Sequence, residues 1–212
     1  MMLNNAQPAM TRTAAHLNLT LLVFFLTAFF LNPDSTHAIG IPRPDFPTVV
    51  EFSRSVHNGD ANVLRGVYVA NVLNLPIVQQ PVDRPYFVSN RNGEVTQFAM
   101  ASRYGSIGLL AHNTLSGRSF SNLAMGQEVQ LVFGDGRVEY FEISEILRFQ
   151  ALEPESVSSS FRNLDRNELL SASEMFNRAY VGEDRLIFQT CIEAEGNVSW
   201  GRLFVIAVPK EE

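Results

Sequence analysis

The sequence predicts a mainly β domain, and three observations lead to this prediction. Short apolar runs rich in β-branched and aromatic residues recur from residue 63 onward. Asp135-Gly136 separates two runs of alternating apolar and polar residues, which is a strong hairpin signal. Only two segments of this region have the features of a helix. Many short strands with few helices are typical of a β-barrel or a β-sandwich.

The individual elements follow from local patterns. The hairpin around Asp135-Gly136 is predicted to join strands at 129–133 and 138–143, because glycine accepts the positive φ that such turns need. A short helix is expected at 120–123. A longer one is expected at 165–180, where Asp165 and Glu168 have the spacing of a capping box. Residues 153–160 are acidic and serine-rich and are expected to form a loop. The other predicted strands lie within 63–75 and at 86–88, 96–99, 107–111, 186–190 and 203–208.

The N-terminal segment is expected to direct export. Residues 17–31 are almost uninterrupted apolar and aromatic, and small residues at Thr36 and Ala38 suit cleavage after Ala38. Residues 1–38 are therefore expected to be a signal peptide or an N-terminal membrane anchor through residues 17–31. The proline-rich start of residues 39–62 indicates an extended linker. The remaining residues, 63–212, are long enough for one domain with an apolar core.

Composition excludes several functional classes. The net charge is -6 and the basic residues are not clustered, so nucleic-acid binding is not expected. A single cysteine excludes a disulfide framework. The sequence contains no metal-binding motif, so we expect no metal and no other cofactor.

Three residues have side chains suited to chemistry, although each has a simpler interpretation. Cys191 is the only cysteine and lies at the end of an apolar run, so it is a free thiol, half of an intermolecular bridge or a buried structural residue. His112 follows a predicted strand, where catalytic side chains are common, but histidine is often partly buried without a catalytic role. Arg202 opens the last predicted strand and could pair with a surface acid.

The order and surroundings of these three residues resemble the sortase family of exported cysteine transpeptidases. The histidine motif is matched by LLAH at 109–112, followed by Gly117 and by FSNL at 120–123. The Thr-Cys pair that ends an apolar strand is matched by LIFQTC at 186–191, and the arginine strand by RLFV at 202–205. The resemblance covers residues 64–209.

The sequence departs from the sortase pattern at three points. Ala111 stands where glycine is frequent, and Gln189 stands where an apolar or small residue is usual. The segment at 150–184 contains a sizeable predicted helix. These departures bear on which substrate the protein would bind more than on the reaction that the resemblance implies.

The resemblance implies a closed β-barrel of about eight strands with one or two short helices in its connections. It also implies that Cys191 is a nucleophile, His112 its general base and acid, and Arg202 the group that stabilises an oxyanion. The implied partners are an exported protein with a sorting-type peptide and an amine acceptor, outside the cytoplasm. The alternative is a non-catalytic exported β-barrel that binds a peptide or a cell-wall polymer.

Overall fold

A computed structural model describes residues 46–211, and these form one barrel with a small outer layer. The strands are Leu64–Val69 (β1), Leu73–Gln79 (β2), Val95–Phe98 (β3), Ser106–Leu110 (β4), Glu128–Phe133 (β5), Val138–Ala151 (β6), Phe161–Asn163 (β7), Leu169–Leu170 (β8), Arg185–Ala194 (β9) and Asn197–Pro209 (β10). The helices are Val49–Val56 (α1) and Ala172–Tyr180 (α2), with 3-10 helices at Ala101–Tyr104 and Ser116–Asn122.

Eight of the strands close into a ring. Their order is β10-β9-β4-β3-β2-β1-β5-β6, and pairing of β6 with β10 completes the barrel. The β2–β3 and β4–β9 pairs are parallel, whereas the other pairs are antiparallel. The prediction of a mainly β fold with a closed barrel of about eight strands is therefore confirmed.

The barrel interior is filled by side chains that alternate along the strands. Val67, Leu109, Leu131, Phe188 and Val205 are completely buried there. Such alternation is expected when one face of every strand points into the barrel. It also defines an outer face, to which the next residue along each strand belongs.

The predicted hairpin is confirmed as β5 and β6. Val132 pairs with Val138 across the turn. Gly136 has a φ of 91°, and the Asp135 carboxylate accepts a hydrogen bond from the Arg137 amide at 3.0 Å. The positive φ explains why glycine stands at this position.

A second apolar layer covers one side of the barrel. It consists of β7, β8 and α2, and its core includes Phe161, Met175, Tyr180, Ile187 and Phe204. The helix predicted at 165–180 begins only at Ala172, because Ser171 and Glu174 form the capping box. The residues before it form β8 and a turn, so the proposed start at Asp165 is wrong.

The turn between β7 and β8 explains this difference. The Asn163 side chain accepts hydrogen bonds from the amides of Asp165 and Arg166, at 2.9 and 3.0 Å. Asn167 has a φ of 52°. The bonds to Asn163 and the left-handed conformation of Asn167 together close a turn between β7 and β8 at this point.

Two other predicted segments differ from the structure. Residues 86–88 form no strand, because Pro81 and Pro85 interrupt the ladder and the Gln80 amide binds the carbonyl oxygens of Pro85 and Phe87 at 3.0 Å each. The run at 63–75 is two strands, β1 and β2, joined by a turn in which Asn71 has a φ of 60°.

Helix α1 lies in the segment that was expected to be an extended linker. Thr48 and Glu51 form a capping box at its start. Phe52 and Val56 are buried against the aromatic ring of Tyr68 and the side chain of Val132. Pairing of one apolar helix face with the barrel stabilises a helix that is too short to be stable alone.

The short helix predicted at 120–123 corresponds to the 3-10 helix Ser116–Asn122. The expectations for residues 1–38 and for the membrane segment 17–31 lie outside the described residues. Within residues 46–211, no helix has the length and apolar character required to cross a membrane.

Candidate functional site

Cys191 and Arg202 lie on two paired strands, and His112 follows a third strand that pairs with the strand of Cys191. Strand β9 lies between β4 and β10. Cys191 on β9 is the direct cross-strand partner of Arg202 on β10. On the other side, Leu110 is paired with Gln189 in parallel register. The ladder ends at that pair, and the Ala111 amide donates a hydrogen bond to the Gln189 carbonyl at 3.3 Å. His112 therefore begins the loop at the end of β4 that lies beside Gln189.

Cys191 and Arg202 lie on the outer face of the barrel. Along β9, Phe188 fills the interior, whereas Ile187 belongs to the outer layer. Cys191 is an even number of residues from Ile187, so both point to the same, outer face of the strand. On β10, Arg202 is two residues from Phe204, which belongs to the outer layer, so Arg202 also points to the outer face. Both side chains are only partly buried, so they are accessible from solvent.

His112 begins the loop that follows β4, and its side chain is exposed. Its backbone carbonyl accepts hydrogen bonds from the amides of Leu115 and Gly117, at 2.9 and 3.0 Å. A tight turn thus fixes the backbone at His112. Glycine is required at position 117, because a Cβ there would lie 2.7 Å from the carbonyl oxygens of both Ala111 and His112.

Two side chains fasten this loop to the neighbouring strands. The Thr190 hydroxyl donates a hydrogen bond to the Ala111 carbonyl at 2.8 Å, which ties the loop to β9. The Asn113 amide donates to the Val198 carbonyl at 2.9 Å, which ties it to β10. Thr190 belongs to the Thr-Cys pair found in the sequence. Asn113 has no sequence signal, because its acceptor is a backbone carbonyl far along the chain.

Arg202 is held at its own strand end. Its Nη1 donates to the carbonyl oxygens of Ser199 and Gly201 at 3.0 and 2.9 Å. Its guanidinium carbon lies 6.0 Å from the centre of the Phe161 ring, at the outer limit for a cation–π contact. Among residues 46–211, no carboxylate forms an ion pair with Arg202. Its charge is thus free to act on a bound group.

An apolar groove adjoins this site. Its volume is about 550 Å³, and it lies between the outer face of the barrel and helix α2. Its lining is mostly apolar, and the polar side chains that line it include Gln189 and Arg202. Gln189 precedes Cys191 by two residues on β9, about 7 Å along an extended strand. The apolar lining residues include Phe98, Phe161, Met175, Phe176 and Phe204.

A larger cavity, about 780 Å³, opens at the other end of the barrel beside Ser106, Asp184 and Pro209. These residues lie at the start of β4, before β9 and at the end of β10. None of the three candidate residues lines this cavity. Arg202 lines the smaller groove, whereas His112 and Cys191 are not among its lining residues. We associate the candidate chemistry with this groove through Arg202.

The residues brought together can support acyl transfer. Cys191 is a free thiol, and a cysteine thiolate is a strong nucleophile. An adjacent imidazole can accept and return a proton, and a guanidinium stays charged and binds developing negative charge. Among residues 46–211, no group of three or more His, Cys, Asp or Glu side chains could hold a metal ion.

Comparisons with known proteins find similarity only among solved structures. No protein-family model and no curated protein matches the chain. Sortase A from Listeria monocytogenes is 13% identical with a TM-score of 0.45, and the match covers 72% of this chain and 89% of that one. Sortase C1 from Streptococcus suis is 14% identical with a TM-score of 0.48, covering 77% and 80%.

A third match is sortase C from Clostridium perfringens with the C-terminal cell wall sorting motif. It is 16% identical with a TM-score of 0.44 and covers 74% of both chains. At these values the similarity assigns neither an activity nor a site residue to this chain.

Proposed function

We propose that this protein is a sortase-like cysteine transpeptidase that cleaves a sorting-type peptide through a thioacyl intermediate on Cys191. The observation that carries the proposal is the cross-strand pairing of the free Cys191 thiol with Arg202, which lines an apolar groove. His112 directly follows β4, the other strand that pairs with β9. The order of sortase-like motifs along the sequence supports it independently. The roles of His112, Cys191 and Arg202 in this reaction are part of the proposal.

In the first half-reaction, His112 takes the proton of the Cys191 thiol. The sulfur then attacks the carbonyl carbon of the scissile peptide bond and forms a carbon–sulfur bond. The tetrahedral intermediate carries its negative charge on the former carbonyl oxygen, which Arg202 binds. When the carbon–nitrogen bond breaks, His112 returns its proton to the leaving amine, and a thioester remains on Cys191.

In the second half-reaction, an amine attacks the thioester carbon. His112 accepts a proton from the attacking amine, the carbon–sulfur bond breaks, and the Cys191 thiolate is regenerated with a new amide as product. Water in place of the amine would give hydrolysis. The hydrogen bonds from Arg202 to the carbonyl oxygens of Ser199 and Gly201 keep the guanidinium at its strand end, so it needs little reorganisation during the reaction.

The acyl donor binds in the groove between the barrel and α2. Arg202 lines the groove, and its mostly apolar lining suits the side chains of an extended peptide. By the sequence resemblance, the donor is an exported protein with a sorting-type peptide, and the acceptor is a cell-surface amine. Residues 17–31 then serve for export, as a cleaved signal or as a membrane anchor.

The direct test is to trap the acyl enzyme. The protein is incubated with a library of sorting-type peptides, and intact-mass and peptide mass spectrometry locate the adduct. We expect an acyl group on Cys191, none in Cys191→Ala, and formation at least about 100-fold slower in His112→Ala. Absence of an adduct with every peptide class would contradict the proposal.

Thiol reactivity separates the enzyme from the alternative of a non-catalytic binding barrel. A methanethiosulfonate reagent should label Cys191 in the folded wild-type protein at neutral pH. Labelling should be slower in His112→Ala, because the imidazole promotes thiolate formation. A folded protein whose Cys191 resists the reagent supports the binding barrel instead.

A further inference from the structure

The strongest feature beyond His112, Cys191 and Arg202 is a hydrogen bond between two residues that line the groove. The Tyr180 hydroxyl at the end of α2 lies 2.5 Å from Oε1 of Gln189 on β9. Tyr180 is almost completely buried, with 1% of its surface exposed. Burial raises the pKa of the Tyr180 hydroxyl above its ordinary value, so the hydroxyl stays protonated and donates.

This bond fixes the direction of the Gln189 amide. Its oxygen faces Tyr180, so its Nε2 group has two N–H donors directed elsewhere. Among residues 46–211, no acceptor binds Gln189 Nε2, and the Gln189 side chain lines the groove. Most of the surrounding lining is apolar. A bound peptide that covered Nε2 without an acceptor would leave a desolvated donor unpaired.

We infer that Gln189 determines specificity by donating a hydrogen bond from Nε2 to an oxygen atom on a side chain of the acyl donor. The inference rests on the proposed function. Gln189 precedes Cys191 by two strand residues, so the recognised side chain belongs to a peptide residue about two positions from the scissile bond. The groove therefore selects a residue such as Asn, Asp, Ser or Thr there, within an otherwise apolar motif.

The test compares acyl donors that differ only at that position. Matched peptides with Asn or Leu are incubated with wild-type protein, and the rates of adduct formation on Cys191 give a selectivity ratio. We expect at least tenfold preference for Asn, because a buried donor rejects a partner that cannot accept. In Gln189→Leu the Asn-to-Leu rate ratio should fall to one or below.

Three further variants make the result specific. Tyr180→Phe removes the hydroxyl that orients the Gln189 amide, so the Asn-to-Leu rate ratio should decrease. In Gln189→Glu a carboxylate oxygen replaces the Nε2 donor. A matched peptide with Asp at that position should react faster than the Leu peptide with wild-type protein but not with this variant, because two carboxylates repel each other. Ser173→Ala changes another polar lining residue and should leave the ratio unchanged.

Calorimetry measures the affinities of the Asn and Leu peptides for Cys191→Ala protein, with and without Gln189→Leu. The ratio of these affinities reports the preference without acylation. Thermal unfolding of each variant checks that it is folded. An equal Asn-to-Leu ratio in wild-type protein and folded Gln189→Leu would overturn the inference but leave the proposed function intact. If no peptide forms an adduct on Cys191, the proposed function is overturned. If, in addition, no peptide binds to Cys191→Ala protein, the proposed function and the inference about Gln189 are both overturned.

Discussion

Replacement of Gly117 by alanine tests whether the loop after β4 positions His112. A Cβ at residue 117 would lie 2.4 Å from the Thr190 hydroxyl oxygen and 2.7 Å from the Ala111 and His112 carbonyl oxygens. Two of these three atoms belong to the backbone of the His112 loop, so rotation of a side chain cannot relieve the overlap. The loop itself must move.

The size of the effect follows from these distances. Ordinary van der Waals contact begins at 3.4 Å, so the neighbouring atoms must shift by about 0.7 to 1.0 Å. Overpacking of this kind costs about 1–3 kcal/mol of folding stability, which lowers Tm by about 2 to 12 °C in a domain of this size. A displacement near 1 Å at a reacting group reduces the rate by about 100-fold. Gly117→Ala should therefore acylate about 100-fold more slowly than wild type while remaining folded.

The assay measures both quantities on the same samples. Thermal unfolding gives Tm, and mass spectrometry gives the rate of acyl-adduct formation on Cys191. Gly59→Ala is the matched control, because Gly59 has open space around its Cβ position but a φ of 85°. It precedes β1, at the end of the barrel away from His112. The control should lose about 1–2 kcal/mol and keep the wild-type rate. A wild-type rate in Gly117→Ala would refute the positioning of His112 by this loop.

Three further predictions concern the arginine, the groove wall and helix α2. Arg202→Met should lower acylation by about 10²- to 10³-fold, because it removes the oxyanion partner, and leave methanethiosulfonate labelling of Cys191 unchanged; equal loss of both rates would contradict this role. Phe176→Ala should widen the groove and shift the preference toward peptides with bulkier apolar side chains. The measurement is the ratio of acylation rates for bulky and small apolar peptides, and an unchanged ratio would contradict a role of Phe176 in the groove wall. Hydrogen bonds from the Ser171 side chain and backbone lower the pKa of Glu174, so protection of α2 amides from hydrogen exchange should be complete above about pH 4.5 and fall as the pH decreases through the lowered value. Glu174→Gln should lack this acid-dependent loss, and an identical pH profile in the variant would contradict the role of the carboxylate.

The barrel strands, including the two that carry Cys191 and Arg202, were predictable because their signals are local. The Asp135-Gly136 turn fixes the β5–β6 hairpin, since the φ of 91° at Gly136 requires glycine. The apolar runs before Cys191 and after Arg202 each specify a strand. Once both strands pair, the register alone makes Cys191 and Arg202 direct neighbours.

The groove wall was not predictable in the same way. Asp165 and Glu168 have the spacing of a capping box, but the Asn163 side chain captures the amides that a helix start would use. The Ser171 and Glu174 pair caps α2 instead. The choice between two capping pairs depends on how β7 and β8 pack on the barrel. Gln189 was recognised as a departure from the sortase pattern, but its partner Tyr180 became evident only when α2 was placed against β9.

The central claim is that Cys191 forms a thioester with the acyl donor. Hydroxylamine tests it directly, because it attacks thioesters and releases the acyl group as a hydroxamate. We predict that a reactive sorting-type peptide adds its acyl mass to Cys191, and that hydroxylamine removes this mass and yields the peptide hydroxamate. Cleavage of the peptide by Cys191→Ala, or an unmodified Cys191 during cleavage by the wild-type protein, would contradict the account.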